Sequence, residues 1–115
     1  MSSENQKEMI RLSRNIDRGL DVLREAAQEL AEAEHDYRLA RGRAWVQTAG
    51  QGYVVAEREA IVDSATAAER RNRDLAEGTR QSALEAVRSN RQQLSAWQSW
   101  VAAERAEAEF ARTMP

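Results

Sequence analysis

The stretch Ala49-Gly50-Gln51-Gly52 decides the fold, because it is the one convincing break in a sequence of 115 residues. Proline and paired glycines are the usual interruptions of helices, and the only proline is Pro115. Glycine tolerates the left-handed backbone that ends a helix, and two glycines allow a short connection between antiparallel neighbours. The stretch therefore predicts a turn at residues 49–52 between two long helices.

The first helix is predicted over about residues 4–48 by a seven-residue repeat. One heptad position holds mostly large residues: Met9, Ile16, Leu23, Leu30, Tyr37 and Ala44. The position three residues further on holds mostly small ones: Leu12, Gly19, Ala26, Ala33, Ala40 and Gln47. This combination lets two helices approach closely and is typical of an antiparallel coiled-coil pair. Leu20 and Ala27 widen the apolar stripe, which favours a helical bundle.

The second helix is predicted over about residues 53–112, with a less regular seam. The seam is read as Val54, Ile61, Ala65, Ala68, Asn72, Leu75, Thr79, Ala83, Val87, Asn90, Leu94, Trp97 and Val101. Three consecutive steps of four residues after Leu75 constitute a stutter, which locally unwinds a supercoil. A bend is predicted in one of two places. Gly78 lies at the stutter, and Thr66-Ala67-Ala68-Glu69 fits a capping box that would restart a helix near residues 63–66.

The second helix is longer than the first, so its last turns have no partner within a hairpin. Those turns carry two apolar stripes. One stripe consists of Leu94, Trp97, Val101 and Ala108, and the other of Trp100, Ala103, Ala106 and Phe110. Two stripes need two neighbours. The sequence therefore predicts an all-α fold, a long antiparallel helical hairpin that assembles into a bundle as a homo-oligomer, most simply a dimer. Trp100, Ala103, Ala106 and Phe110 are the candidate partner-binding residues, whereas Trp97 is assigned to the core.

Composition narrows the class of protein. With 42% hydrophobic residues, few aromatics and no cysteine, the chain is expected to form one helical domain without disulfides or thiolate-bound metal. No apolar run approaches the length of a membrane span and no leader is recognisable, so a cytoplasmic protein that does not bind membranes is expected.

Catalytic and metal chemistry lack the residues they need. Glu32 and His35 have the Glu-x-x-His spacing of bundle di-iron sites, but such a site needs two of these motifs and the chain has one histidine. With Leu30 and Tyr37 on the seam, both side chains should face solvent. No nucleophile has a base beside it. We expect no enzyme activity, no metal and no cofactor.

A cluster of arginines offers a different kind of site. The candidate nucleic-acid contacts are Arg70, Arg71, Arg73, Arg80, Arg88 and Arg91. The competing interpretation is a solvated helix face with ion pairs such as Glu77 with Arg80. A net charge of -2 argues against a protein that binds nucleic acid simply by neutralising its phosphates, since such a protein is normally basic.

The C-terminal half resembles small helical proteins encoded by phages and prophages of high-GC actinobacteria. The resemblance rests on three segments and covers roughly residues 34–115. They read VAEREA at 55–60, RQQLSAWQS at 91–99 and RAEAEFART at 105–113. It implies a small accessory protein in the cytoplasm of a bacterial host, and no catalytic residues.

Taken with the helical pattern, this favours a non-catalytic phage accessory protein that self-associates and docks on a phage or host protein. One alternative is a nucleic-acid-binding accessory of phage recombination or replication. Another is a minor structural component of the virion.

Overall fold

The computed structural model describes residues 3–114. The chain forms α1 (Ser3–Thr48), a short 3-10 turn (Ala49–Gln51), α2 (Tyr53–Val62) and α3 (Ser64–Thr113). No strand occurs among the residues described. The predicted fold class, an all-α antiparallel helical hairpin, is confirmed, whereas its assembly into a bundle stays a prediction.

The turn lies where the sequence predicts it. Gly52 has a φ of 95°, and it alone among residues 3–114 has a positive φ. Its N–H bonds the carbonyl of Ala49 at 3.5 Å, and its own carbonyl accepts the N–H of Ala56 at 3.1 Å. Because side chains with a Cβ rarely adopt this backbone, Gly52 is the glycine that the turn requires.

Asp63 separates α2 from α3. Its ψ of 129° is not helical, and its Oδ2 accepts hydrogen bonds from the Thr66 N–H at 2.9 Å and the Thr66 hydroxyl at 3.0 Å. These bonds, the backbone one foremost, lower the pKa of the Asp63 carboxyl. The restart predicted near residues 63–66 is therefore observed, but the capping residue is Asp63 and not Thr66, which lies inside α3 and donates to the Asp63 carboxylate. Gly78 lies inside α3, so the helix is not interrupted there, and the alternative bend at Gly78 stays a prediction.

The chain packs as two compact units. The terminal unit comprises Met1–Val22 with Ala83–Pro115, and the turn unit comprises Leu23–Ser82. Each unit contains a segment of α1 beside a segment of α3. The single domain predicted from the sequence stays a prediction.

The terminal unit has the larger buried side chains. Leu12 is fully buried, Val87 is 2% exposed, and Val101 is 6% exposed. Gly19 lies opposite Val87, where a Cβ at position 19 would come within 2.9 Å of the Val87 Cγ2. The absence of a side chain at Gly19 therefore allows the two helices to approach closely, as the small residues of the repeat predict.

Gly19→Ala is expected to destabilise the protein, although alanine is the better helix former. Helix propensity favours alanine by about 1 kcal/mol, but the new methyl group meets a stiff, buried valine, and overpacking typically costs about 1–3 kcal/mol. Gly78→Ala is the matched control, because Gly78 lies inside α3 and a Cβ there has open space. Urea denaturation should rank Gly78→Ala above wild type and Gly19→Ala below wild type. Equal stabilisation by both substitutions would contradict the close approach at Gly19.

The turn unit is held by small residues and by one polar cluster. Its buried side chains are Ala26, Ala44, Ala56, Ala60 and Thr66. Beside the turn, Glu57 Oε1 accepts hydrogen bonds from Arg41 Nη2 at 2.7 Å and from the Trp45 indole N–H at 3.1 Å. The carboxylate of Glu57 thus ties α2 to α1.

The seven-residue repeat of α1 is confirmed. Positions from Met9 to Ala44 are buried or half-buried, as are the small residues from Leu12 to Ala40. Gln47 and Ala27 are exposed, so the repeat ends before Gln47 and Ala27 does not widen the stripe.

The predicted seam of the second helix is wrong in its first half. Val54, Ile61 and Leu75 are 67%, 57% and 62% exposed. In α3, with Arg70 and Leu84 half-buried beside it, the packed face consists instead of Thr66, Glu69, Arg73, Ala76, Arg80, Ala83, Val87, Asn90, Leu94, Trp97 and Val101. Successive members are three and four residues apart in regular alternation, so the stutter is also wrong.

The physical reason is that arginine contributes a long aliphatic stem. Arg73 and Arg80 lie half-buried on the packed face of α3 with their charged ends turned to polar partners. Leu75 lies on a neighbouring stripe of α3, whereas Ile61 lies in α2, before the break at Asp63. A seam predicted from hydrophobicity alone therefore follows the apolar residues and misses the packed face that contains the two arginines.

Candidate functional site

The candidate partner-binding residues lie in the last turns of α3. Val101 is the last buried residue, and every residue from Ala102 to Met114 is exposed. Trp100 is 49% exposed and Phe110 is 66% exposed. Together with Ala103 and Ala106, which are also exposed, they form what we call the C-terminal surface. Within the described part of the terminal unit, the last turns of α3 therefore have no helix packed against them, as the sequence predicts.

Trp100 is anchored by its neighbour Trp97. The two rings meet edge to face, with centroids 5.5 Å apart and planes at 84°. Trp97 is half-buried on the packed face of α3, and Ala96 completes a shallow hollow of about 250 Å³ between the rings. Trp97 thus contacts both the packed face of α3 and the C-terminal surface. Its assignment to the core is therefore only partly correct.

The C-terminal surface continues as a regular stripe that sequence analysis describes incompletely. Residues three and four apart share a helix face, and this spacing links Ala96, Trp100, Ala103, Glu107 and Phe110. Glu104 lies beside the stripe. At about 100° per residue, Arg105 and Arg112 lie on the far side of the helix. The surface therefore carries two aromatic side chains and two glutamates, and Glu107 is the member of the stripe that the sequence analysis did not identify.

The arginine candidates do not form one surface. Arg73 and Arg70 pack over the ring of Tyr37, with their guanidinium carbons 4.4 Å and 5.7 Å from its centroid. A hydrogen bond from Arg70 lowers the pKa of the Tyr37 hydroxyl, and the charges of Arg70, Arg41 and Arg73 act in the same direction. These contacts hold the guanidinium groups against α1, within the turn unit.

The remaining arginines differ in their surroundings. Arg80 pairs with Glu77 at 3.1 Å, as the sequence predicts, and Glu77 raises the pKa of Arg80 mainly through that hydrogen bond. Arg71, Arg88 and Arg91 are exposed. Three of the six candidates are therefore engaged in contacts within the chain, which leaves fewer charges for phosphate.

Glu32 and His35 are both exposed, as expected from their register on α1. Within residues 3–114, no three histidine or acidic side chains come together to hold a metal ion. None of the helices in that part of the chain is both long and apolar enough to cross a membrane.

A groove on α1, which sequence analysis missed, is a second exposed apolar feature. It is lined by Arg38, Leu39, Gly42, Arg43, Val46 and Gln47, with a volume of about 540 Å³. We call it the α1 groove. Leu39 is 45% exposed and Val46 is 78% exposed, and no atom lies within 4 Å of a Cβ built on Gly42. The signal that predicts it is two apolar residues seven apart with a glycine between them.

No family model matches this chain, and no curated protein or solved structure is significantly similar to it.

Proposed function

We propose that this chain is a non-catalytic interaction protein that self-associates and docks on a phage or host protein through its C-terminal surface. One observation carries the proposal. The chain continues α3 for about three turns beyond its last buried residue, Val101, and the exposed residues Trp100, Ala103 and Phe110 share one face of this end of the helix. Exposed apolar patches of this kind mark interaction sites, and aromatic residues supply much of the energy there.

The cellular context rests on the resemblance of residues 34–115 to small helical phage and prophage proteins. On that basis we place the protein in the cytoplasm of a bacterial host as an accessory factor. A minor virion component remains the alternative that purified phage particles would reveal, since only that role requires the protein to be present in them.

Trp100→Ala and Phe110→Ala are expected to weaken self-association while the protein remains folded. Phe110 is 66% exposed, so its side chain contributes little to the fold. Trp100→Ala removes mainly the edge contact with Trp97, worth about 0.5–1.5 kcal/mol. Sedimentation velocity across a concentration series measures association, and circular dichroism checks the fold.

Tyr53→Ala is the matched control, because Tyr53 is a comparably exposed aromatic (70%) outside the C-terminal surface. It should leave association unchanged. If the Trp100 and Phe110 variants associate and bind partners as wild type does, the proposal fails. The exposed arginines Arg71, Arg88 and Arg91 then become the better candidates, and salt-dependent binding to labelled single-stranded DNA would test them.

A further inference from the structure

We infer that the α1 groove is the acceptor for the C-terminal surface of a second copy of this chain. The inference rests on the proposed self-association, and it identifies the surface of one copy that the C-terminal surface of the other copy contacts. Both surfaces are exposed within one chain, so neither is covered by the fold of its own copy.

The shape of the groove suits a helix carrying a large side chain. Leu39, Gly42, Arg43 and Val46 are at positions i, i+3, i+4 and i+7 of α1, the arrangement of four residues that forms a hole for a knob from a facing helix. The glycine deepens the hole, since nothing occupies the space where its side chain would stand. Phe110, at 66% exposure, is a knob of suitable size on the C-terminal surface.

The charges of the two surfaces are opposite. Arg38 and Arg43 line the groove, and the sequence has no acidic residue from Tyr37 to Ala56. Arg38 has a loose contact of 4.0 Å with Glu34, while Arg43 has no ion pair with any residue in the described part of the chain. On the C-terminal surface the charged residues are Glu104 and Glu107. With Phe110 in the groove, Glu107, one turn away on the same face, lies beside the arginines.

Charge complementarity is what selects a second copy as the occupant. A membrane surface with anionic lipids would also attract the arginines, but it would not need the glutamates of the C-terminal surface. If the occupant were an unrelated acidic helix, substitutions in the groove would leave the self-association of this chain unchanged. Both alternatives, a membrane surface and an unrelated helix, therefore predict a dimer dissociation constant that does not respond to substitutions in the groove.

A charge exchange tests the pairing. Arg43→Glu and Glu107→Arg should each raise the dimer Kd by about tenfold, because each places like charges together in the interface. The double variant restores opposite charges and should return the Kd to within about threefold of wild type. Glu109→Arg is the matched control, because it makes the same change in charge on the far side of the helix and should have little effect.

Gly42→Trp provides a second, steric test. The open space at position 42 tolerates the side chain in a single copy, so circular dichroism should stay that of wild type, while the filled hole should abolish association. A dimer Kd that is unchanged by all three substitutions, Arg43→Glu, Glu107→Arg and Gly42→Trp, would show that the α1 groove is not the acceptor. The proposed self-association would still hold. A double charge variant whose losses simply add would also overturn the assignment of the α1 groove as the acceptor. A wild-type chain that stays monomeric would overturn the proposed function itself.

Discussion

Leu12→Ala is expected to lower the free energy of unfolding by about 2–5 kcal/mol, the usual range for removing a buried leucine side chain. Leu12 is fully buried in the terminal unit, where few large apolar side chains share the packing. The loss combines the transfer free energy of the deleted methyl groups with the cavity that remains. Urea denaturation followed by circular dichroism, at one fixed protein concentration, measures the change.

Ile10→Ala is the matched control for Leu12→Ala. Ile10 lies on the same helix two residues earlier, is 51% exposed, and its replacement should change stability by no more than about 0.5 kcal/mol. Similar losses for the two variants would contradict the register of α1, because a shift of the helix about its axis is what would make Ile10 and Leu12 equivalent.

Two truncations should separate the stability of the fold from self-association. A chain ending at Arg91 lacks Leu94, Trp97 and Val101, which are half-buried or buried in the terminal unit. It should lose thermal stability and oligomer order together. A chain ending at Arg105 keeps one helical turn beyond Val101 and lacks only residues that are exposed in the described part of the chain, among them Phe110. It should lose association and retain the melting temperature that dilute wild-type protein shows.

Thermal melts at low concentration and sedimentation velocity at high concentration measure the two properties. A chain ending at Arg105 that melts as early as the one ending at Arg91 would show that residues 106–115 contribute to the fold. The C-terminal surface would then not be free for a partner. Undiminished association of the shorter chain ending at Arg91 would place the interface elsewhere.

The sequence predicts most of the fold because α1 and the turn follow simple rules. The repeat from Met9 to Ala44 fixes the buried face of α1, and Gly52 adopts the positive φ that glycine favours. The buried face of α3 could not be read the same way. Two heptad stripes run side by side there, and the true one contains Arg73 and Arg80, whose burial depends on what α1 presents to them.

The candidate site is predictable to the same extent. The excess length of the second helix indicates that Trp100 and Phe110 are exposed, and they are. The contact of Arg70 and Arg73 with Tyr37 depends on packing between helices, which spacing along one helix does not reveal. The α1 groove was missed because Leu39 and Val46 are off the seam, and single exposed apolar residues are common on any surface.

The most direct test of the account is the mass of the native chain in solution. Light scattering coupled to size exclusion, at tens of micromolar, should give about twice the 13.0 kDa chain mass for wild type. It should give the single-chain mass for the chain ending at Arg105. A wild-type particle of 13.0 kDa at these concentrations would contradict self-association, and with it the role assigned to the C-terminal surface.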